Sequence, residues 1–127
     1  MLTIPPSVRV FVARAPIDMR RSFDGLVAEV IATIDEDPQS GHLFVFFNKR
    51  RDMVKTLVWD GSGYWIHYKR LEHGRFHAFD RASKRGAIEL TGTELSLLLA
   101  GIDLRGAKRR LAHDAIVRGH APRPLVH

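Results

Sequence analysis

The order of apolar and polar positions divides the chain into short segments with two different periods. Val8–Ala13 follows a Pro-Pro pair and is rich in β-branched residues, which predicts a first strand. Phe23, Leu26, Val27, Val30, Ile31 and Ile34 recur at helical spacing and predict an amphipathic helix. Ser22 stands at its start as an N-cap, and Pro38 with Gly41 lies beyond its end. Asp35, Glu36 and Asp37 at its C-terminal end oppose the helix macrodipole. Leu43–Phe47 is an unbroken apolar run bounded by turn formers, the pattern of a strand covered on both faces. Met53–Trp59 and Tyr64–Leu71 flank Asp60-Gly61-Ser62-Gly63 and predict a β-hairpin with Trp59 opposite Tyr64. That register puts Trp59, Tyr64, Leu57, Ile66, Met53, Lys55 and Tyr68 on one face, expected in the core. Val58, Trp65, Thr56, His67, Val54 and Lys69 fall on the other, expected to be partly wet.

Residues 74–87 are polar and basic and suggest an irregular crossing or a short strand around Phe76–Phe79, with a further strand at Ala87–Leu90. Thr91-Gly92-Thr93-Glu94 matches a capping box and introduces a short helix whose stripe is Leu95, Leu98, Leu99 and Ile102, with Gly101 at its end. Beyond Leu104 the periodicity fades. The predicted class is therefore α+β: an antiparallel sheet with a central β-hairpin, packed by one amphipathic helix and closed by a short C-terminal helix. Residues 1–105 form the expected single domain, and 106–127 a basic C-terminal tail, either a weak helix or disordered.

Composition narrows the chemistry. A length of 127 residues leaves room for one domain, and the absence of cysteine excludes disulfides, thiolate metal sites, iron–sulfur centres and a cysteine nucleophile. The longest apolar runs are far shorter than a membrane span, and the first residues lack a basic region followed by a long apolar stretch, so a cytoplasmic protein is expected. The net charge of +6 is unevenly spread: residues 41–85 carry ten basic against four acidic side chains, and 104–127 carry six against one, while the remainder is acidic. Blocks of this kind raise the local potential for a polyanion, which makes DNA the expected partner, although three exposed cations can also simply keep a loop solvated and a sheet edge from sticking.

Few residues suggest catalysis. His73 and His77 have the spacing of two metal ligands on a helix, but Gly74 and the strand-like residues around them argue against a helix there. Asp18, Asp24, Asp52, Asp60 and Asp80 contain no pair selected by spacing for a two-metal site, and there is neither a nucleophile elbow nor a glycine-rich phosphate loop. No cofactor is expected, and a metal-dependent nuclease is the minor reading. The candidate nucleic-acid-binding residues are Lys49, Arg50, Arg51, Lys55, Lys69, Arg70 and Arg75, the first three at the tip of the connection between two strands. The competing reading is a protein-interaction module that uses Trp65, Val58 and His67 as an aromatic patch with a basic rim.

Several longer elements carry a resemblance. Ser40–Arg51, Lys55, Leu57–Gly63 and Lys69–Phe76, with Asp18-Met19-Arg20 and Phe23-Asp24-Gly25-Leu26 upstream and Leu98–Asp103 downstream, resemble the TnpB-type accessory protein encoded by the second open reading frame of insertion sequence family sixty-six. The resemblance covers roughly residues 7–105. It implies a non-catalytic accessory role in DNA transposition beside a separate, larger transposase and a sister accessory protein. The RNA-guided nucleases that share the TnpB name are a different family. No residue role carries over from the resemblance, so the binding residues above rest on charge alone.

Overall fold

The computed structural model describes residues 4–77 and 86–101. Five strands, β1 (Val10–Ala13), β2 (Leu43–Phe47), β3 (Met53–Trp59), β4 (Tyr64–Arg70) and β5 (Ala87–Leu90), form one sheet in the order β4-β3-β2-β1-β5. Helix α1 (Phe23–Glu29) runs on into a π-helical turn at Val30–Ile34, and α2 (Gly92–Leu99) follows β5. The expected α+β class is observed. Among the described residues no helix is long and apolar enough to cross a membrane.

β2 is buried at all five positions, and the two-residue period of a strand explains how. Leu43, Val45 and Phe47 join Val10, Val12, Val54, Ile88 and Leu90 beneath Leu95 and Leu98 of α2. Phe44 and Phe46 point the other way and join Phe11 and Leu57 beneath Leu26, Val30 and Ile34. The sheet is thus the middle of three layers, with a helix on each face.

One pairing corrects the expectation of an antiparallel sheet. β1 and β2 run parallel, with Val10 beside Leu43 and Val12 beside Val45. The connection between them contains α1, and a helical crossover is what returns a chain to start a parallel neighbour. The other three pairings are antiparallel.

The first helix is also narrower than its sequence pattern. The Asp35 amide donates to the Val30 carbonyl at 2.9 Å, a bond across five residues, and Asp35 then turns left-handed at φ 60°. The under-wound turn keeps Leu26, Val30 and Ile34 in one buried line and leaves Ile31 on the flank, 58% exposed; Phe23, in the first turn, is 45% exposed. Ser22 holds the N-cap position, but its side chain makes no capping bond. Asp37 closes the following turn by accepting from the Gln39 amide at 2.8 Å, so part of the acidic run serves the turn. Glu29 accepts from Thr33 Oγ1 and from the Arg21 guanidinium, which together hold its carboxyl below the usual range. Gly86 starts the approach to β5 so close to this turn that a Cβ would fall 2.4 Å from the Thr33 carbonyl oxygen.

The hairpin has the expected register, from Trp59 opposite Tyr64 to Met53 opposite Arg70. Its burial divides by strand as well as by face, which corrects the expected wet side: Val54 and Thr56 are buried, whereas Tyr68 on the supposed core face is 54% exposed. β3 lies between two strands and contributes Val54 and Leu57 to the two core clusters, while β4 is the edge strand and only Tyr64 and Ile66 of it pack against a cluster. The α2 capping box forms as the sequence predicts, with Glu94 N donating to Thr91 Oγ1 at 3.1 Å and Thr91 N to Glu94 Oε1 at 3.0 Å. Ile102, most of the predicted crossing and the basic tail lie outside the described residues.

These positions set a paired test of the helix. Val30→Asp places an unpaired charge in a fully buried site and should cost about 4 kcal/mol in urea unfolding, whereas Ile31→Asp should stay within about 0.5 kcal/mol. Comparable losses at both positions would mean that α1 buries the broad stripe of a regular α-helix.

Candidate nucleic-acid interface

The cationic residues at the end of β2 are held by a loop with its own hydrogen-bond plan. Asn48 Oδ1 accepts from the Asp52 amide at 3.1 Å and the Met53 amide at 3.0 Å, while its Nδ2 donates to Asp52 Oδ1 at 2.6 Å. One side chain therefore closes the turn from β2 to β3. Lys49 and Arg50 stand exposed on it. The Asp52 carboxyl is held below its usual range, first by Asn48 and further by the nearby positive charges of Arg50 and Arg75. Arg75, also exposed, thus belongs to the same end of the molecule.

Arg51 has a different job. Its backbone is left-handed at φ 58°, and its guanidinium turns back to donate to the carbonyls of Phe76 at 3.1 Å and His77 at 2.7 Å while lying 4.3 Å from the centre of the Phe47 ring. Burial lowers the pKa of this guanidinium, yet an arginine remains charged. The Phe76 amide returns a bond to the Arg51 carbonyl at 2.6 Å, and the Leu71 amide donates to the Asp52 carbonyl at 2.8 Å. The segment carrying Arg75 is thereby bound to the loop carrying Lys49 and Arg50.

Lys55 points away from this surface. It is 7% exposed, and its Nζ donates to the carbonyls of Met19 and Arg21, each at 2.7 Å, beneath the ring of Tyr68. A buried ammonium needs such partners, and here they pin the segment before α1 onto the sheet. Asp18 shapes that segment by accepting from the Arg20 amide and guanidinium, and the guanidinium holds the Asp18 carboxyl down at about 2. Lys69 Nζ donates to the Leu99 carbonyl at 2.8 Å, at the negative end of α2, and Arg70 pairs with Glu72 at 3.2 Å. The seven sequence candidates therefore divide. Lys49, Arg50 and Arg75 share one exposed end; Lys69 and Arg70 lead up to it along β4; Arg51 and Lys55 are engaged internally.

Sequence reading missed a cleft. Because β1 and β2 are parallel, both carboxyl ends open on the same edge of the sheet, and a cleft of about 210 Å³ lies there between Ala13–Pro16 and Phe47–Lys49, with Arg51 at its wall. Arg14 thereby joins Lys49 in lining one recess. The crevice beyond the carboxyl ends of parallel strands is a recurrent place for ligands. No local pattern signals Arg14, because its position depends on a pairing between distant segments. Among the described residues, no three His, Cys, Asp or Glu side chains are grouped to hold a metal ion.

At the far end of the hairpin Asp60 organises the turn, accepting from the amides of Ser62 at 2.9 Å and Gly63 at 3.0 Å and from Trp65 Nε1 at 2.7 Å. The Ser62 amide and then the indole hold this carboxyl down at about 2.

Two predictions follow from the geometry. Arg51→Ala should destabilise the protein by about 2 kcal/mol through the loss of charged hydrogen bonds, while Lys49→Ala and Arg50→Ala should change stability by less than about 0.5 kcal/mol in chemical unfolding. A depressed folded-state pKa means that the Asp60 interaction is complete above the ordinary carboxylate range near 4 and is lost as pH falls through about 2. Tryptophan emission should shift in that window, and Asp60→Asn should abolish that part of the change.

The sequence has recognisable relatives among known proteins. The family model described as IS66 Orf2 like protein matches residues 8–109. The protein y4jC of Sinorhizobium fredii (strain NBRC 101917 / NGR234), described as uncharacterized, is 42% identical over 103 residues, covering 81% of this chain and 86% of the relative. A second uncharacterized protein of the same strain, y4hO, is 37% identical over 105 residues, covering 83% of this chain and 90% of the relative. No solved structure matches. With four-fifths of its length matched to that family model, the chain belongs to the IS66 Orf2-like family of transposition accessory proteins.

Proposed function

We propose that the protein is a non-catalytic accessory of IS66 transposition that contacts DNA at the carboxyl-end edge of its sheet. The observation that carries this reading is the gathering of Lys49, Arg50 and Arg75 on one hydrogen-bonded loop assembly beside the cleft lined by Arg14 and Lys49. Phosphate oxygens would meet cations on a preformed support, with little side-chain and loop ordering left to lose. Lys69 and Arg70 extend the positive strip, whereas Arg51 and Lys55 shape the support and do not reach the phosphates. Such contacts read the backbone, so the element's ends would be bound with low sequence specificity and any choice of site would come from the transposase.

A second reading has its own observation. Trp65 is 57% exposed on the edge strand, as an aromatic anchor for a protein partner would be, and that partner would be the transposase or the sister accessory protein of the same element. Co-purification of the element's proteins after nuclease treatment separates a protein-borne association from one carried by DNA.

The salt dependence of binding to a duplex from the element's ends tests the main proposal. Lys49→Ala/Arg50→Ala/Arg75→Ala should reduce the slope of log K against log salt by about 0.9 for each phosphate contact removed, roughly equally on unrelated sequences. Absence of wild-type binding at low salt would overturn it.

A further inference from the structure

β4 closes one edge of the sheet and pairs, among the described residues, with β3 alone. Its side chains at 65, 67 and 69 fall on the α2 face, and the aromatic one at the hairpin end belongs to neither core cluster. Trp65 is nonetheless fixed in orientation. Its indole N–H is spent on Asp60 Oδ2 at 2.7 Å, and the other oxygen of that carboxylate is held by the turn amides of Ser62 and Gly63. The His67 ring lies nearly parallel to it, with 14° between the planes and 6.3 Å between centroids. What this face offers a ligand is therefore a pair of aligned flat rings whose orientation is already set, more than a hydrogen-bonding edge.

The charge beside the rings selects the ligand. Asp60 meets the indole from the turn end and Glu72 pairs with Arg70, but Tyr64–Arg70 itself contains no acidic residue, and Lys69 and Arg70 follow the rings toward Arg50 on the β2–β3 loop and Arg75 on the segment bound to it. An aromatic anchor for a protein partner works best when apolar neighbours exclude water, and on that face Trp65 has one apolar cross-strand neighbour, the partly buried Val58, with His67 and then Lys69 following along the strand. Flat rings beside a cationic track suit a polyanion with stackable faces, which is nucleic acid with unpaired bases; a duplex hides those faces in its own stack.

We propose that β4 is a stacking platform for unpaired DNA bases, with Trp65 and His67 each taking a base and the phosphates of the same strand led toward Lys49, Arg50 and Arg75. The inference rests on the reading that those loop cations meet DNA, and it adds a preference for single-stranded or frayed DNA at the element's ends.

The test uses the full chain with two fluorescent probes of about 20 nucleotides, oligothymidylate and a blunt duplex, a length that exceeds the site size of single-strand binders of this kind. Trp65→Ala should weaken oligothymidylate binding about tenfold and leave duplex binding unchanged, and Trp65→Phe should recover most of the loss. His67→Ala should act in the same direction, so the platform is read by two independent variants. The triple loop variant should weaken both probes. If Trp65→Ala and His67→Ala bind oligothymidylate as wild type does, or lose both probes equally, the platform is overturned and the loop reading stands. Wild-type binding to duplex but not to oligothymidylate has the same meaning, and binding to neither probe overturns both readings.

Discussion

Five consecutive apolar residues in β2 can be hidden only if both faces of the sheet are covered, and the rest of the architecture answers that requirement. α1 covers Phe44 and Phe46, and α2 covers Leu43, Val45 and Phe47. Reaching opposite faces takes two excursions of the chain. The first, through α1, makes β1 and β2 parallel; the second, through β3 and β4, carries the chain on to β5 on the far side of β1. The parallel pair then brings the ends of β1 and β2 out together, which puts Arg14 and Lys49 in one cleft. The edge that holds the cleft is thus a consequence of burying β2.

Charge is divided between building that edge and lying exposed along it. Lys55 and Arg51 are close in sequence to the exposed cations and indistinguishable from them by residue type, yet both direct their donors at backbone carbonyls. Lys55 joins the Asp18-Met19-Arg20 turn to the hairpin, so two elements far apart in the sequence form one device: the turn presents the carbonyls of Met19 and Arg21, and the hairpin supplies the ammonium. Arg51 does the same for the segment that carries Phe76 and His77. With the support hydrogen-bonded, Lys49, Arg50 and Arg75 are left to face solvent.

What the sequence made legible was local. The Asp-Gly-Ser-Gly turn fixed the hairpin register, the unbroken run Leu43–Phe47 identified the doubly covered strand, and Thr91 with Glu94 marked the start of α2. What it hid depended on distant partners or on departures from ideal geometry. The parallel pairing of β1 with β2, and with it the cleft, joins segments separated by a whole helix. The inward turn of Lys55 depends on carbonyls more than 30 residues away. The narrow face of α1 comes from a π-helical turn, which the apolar spacing alone reads as a regular helix. Charge density located the candidate interface, but only the hydrogen bonds separated its exposed cations from its supports.

DNA contact at the carboxyl-end edge of the sheet is the central proposal for this protein. Its most direct measurement is the change in backbone amide resonances as a duplex is titrated into isotope-labelled protein. Shifts should concentrate at Arg14–Ala15, Asn48–Arg50 and Arg75, with the Arg9–Glu89 ion pair on the β1–β5 side as the quiet reference. Shifts centred on that reference, with the β2–β3 loop silent, would contradict it.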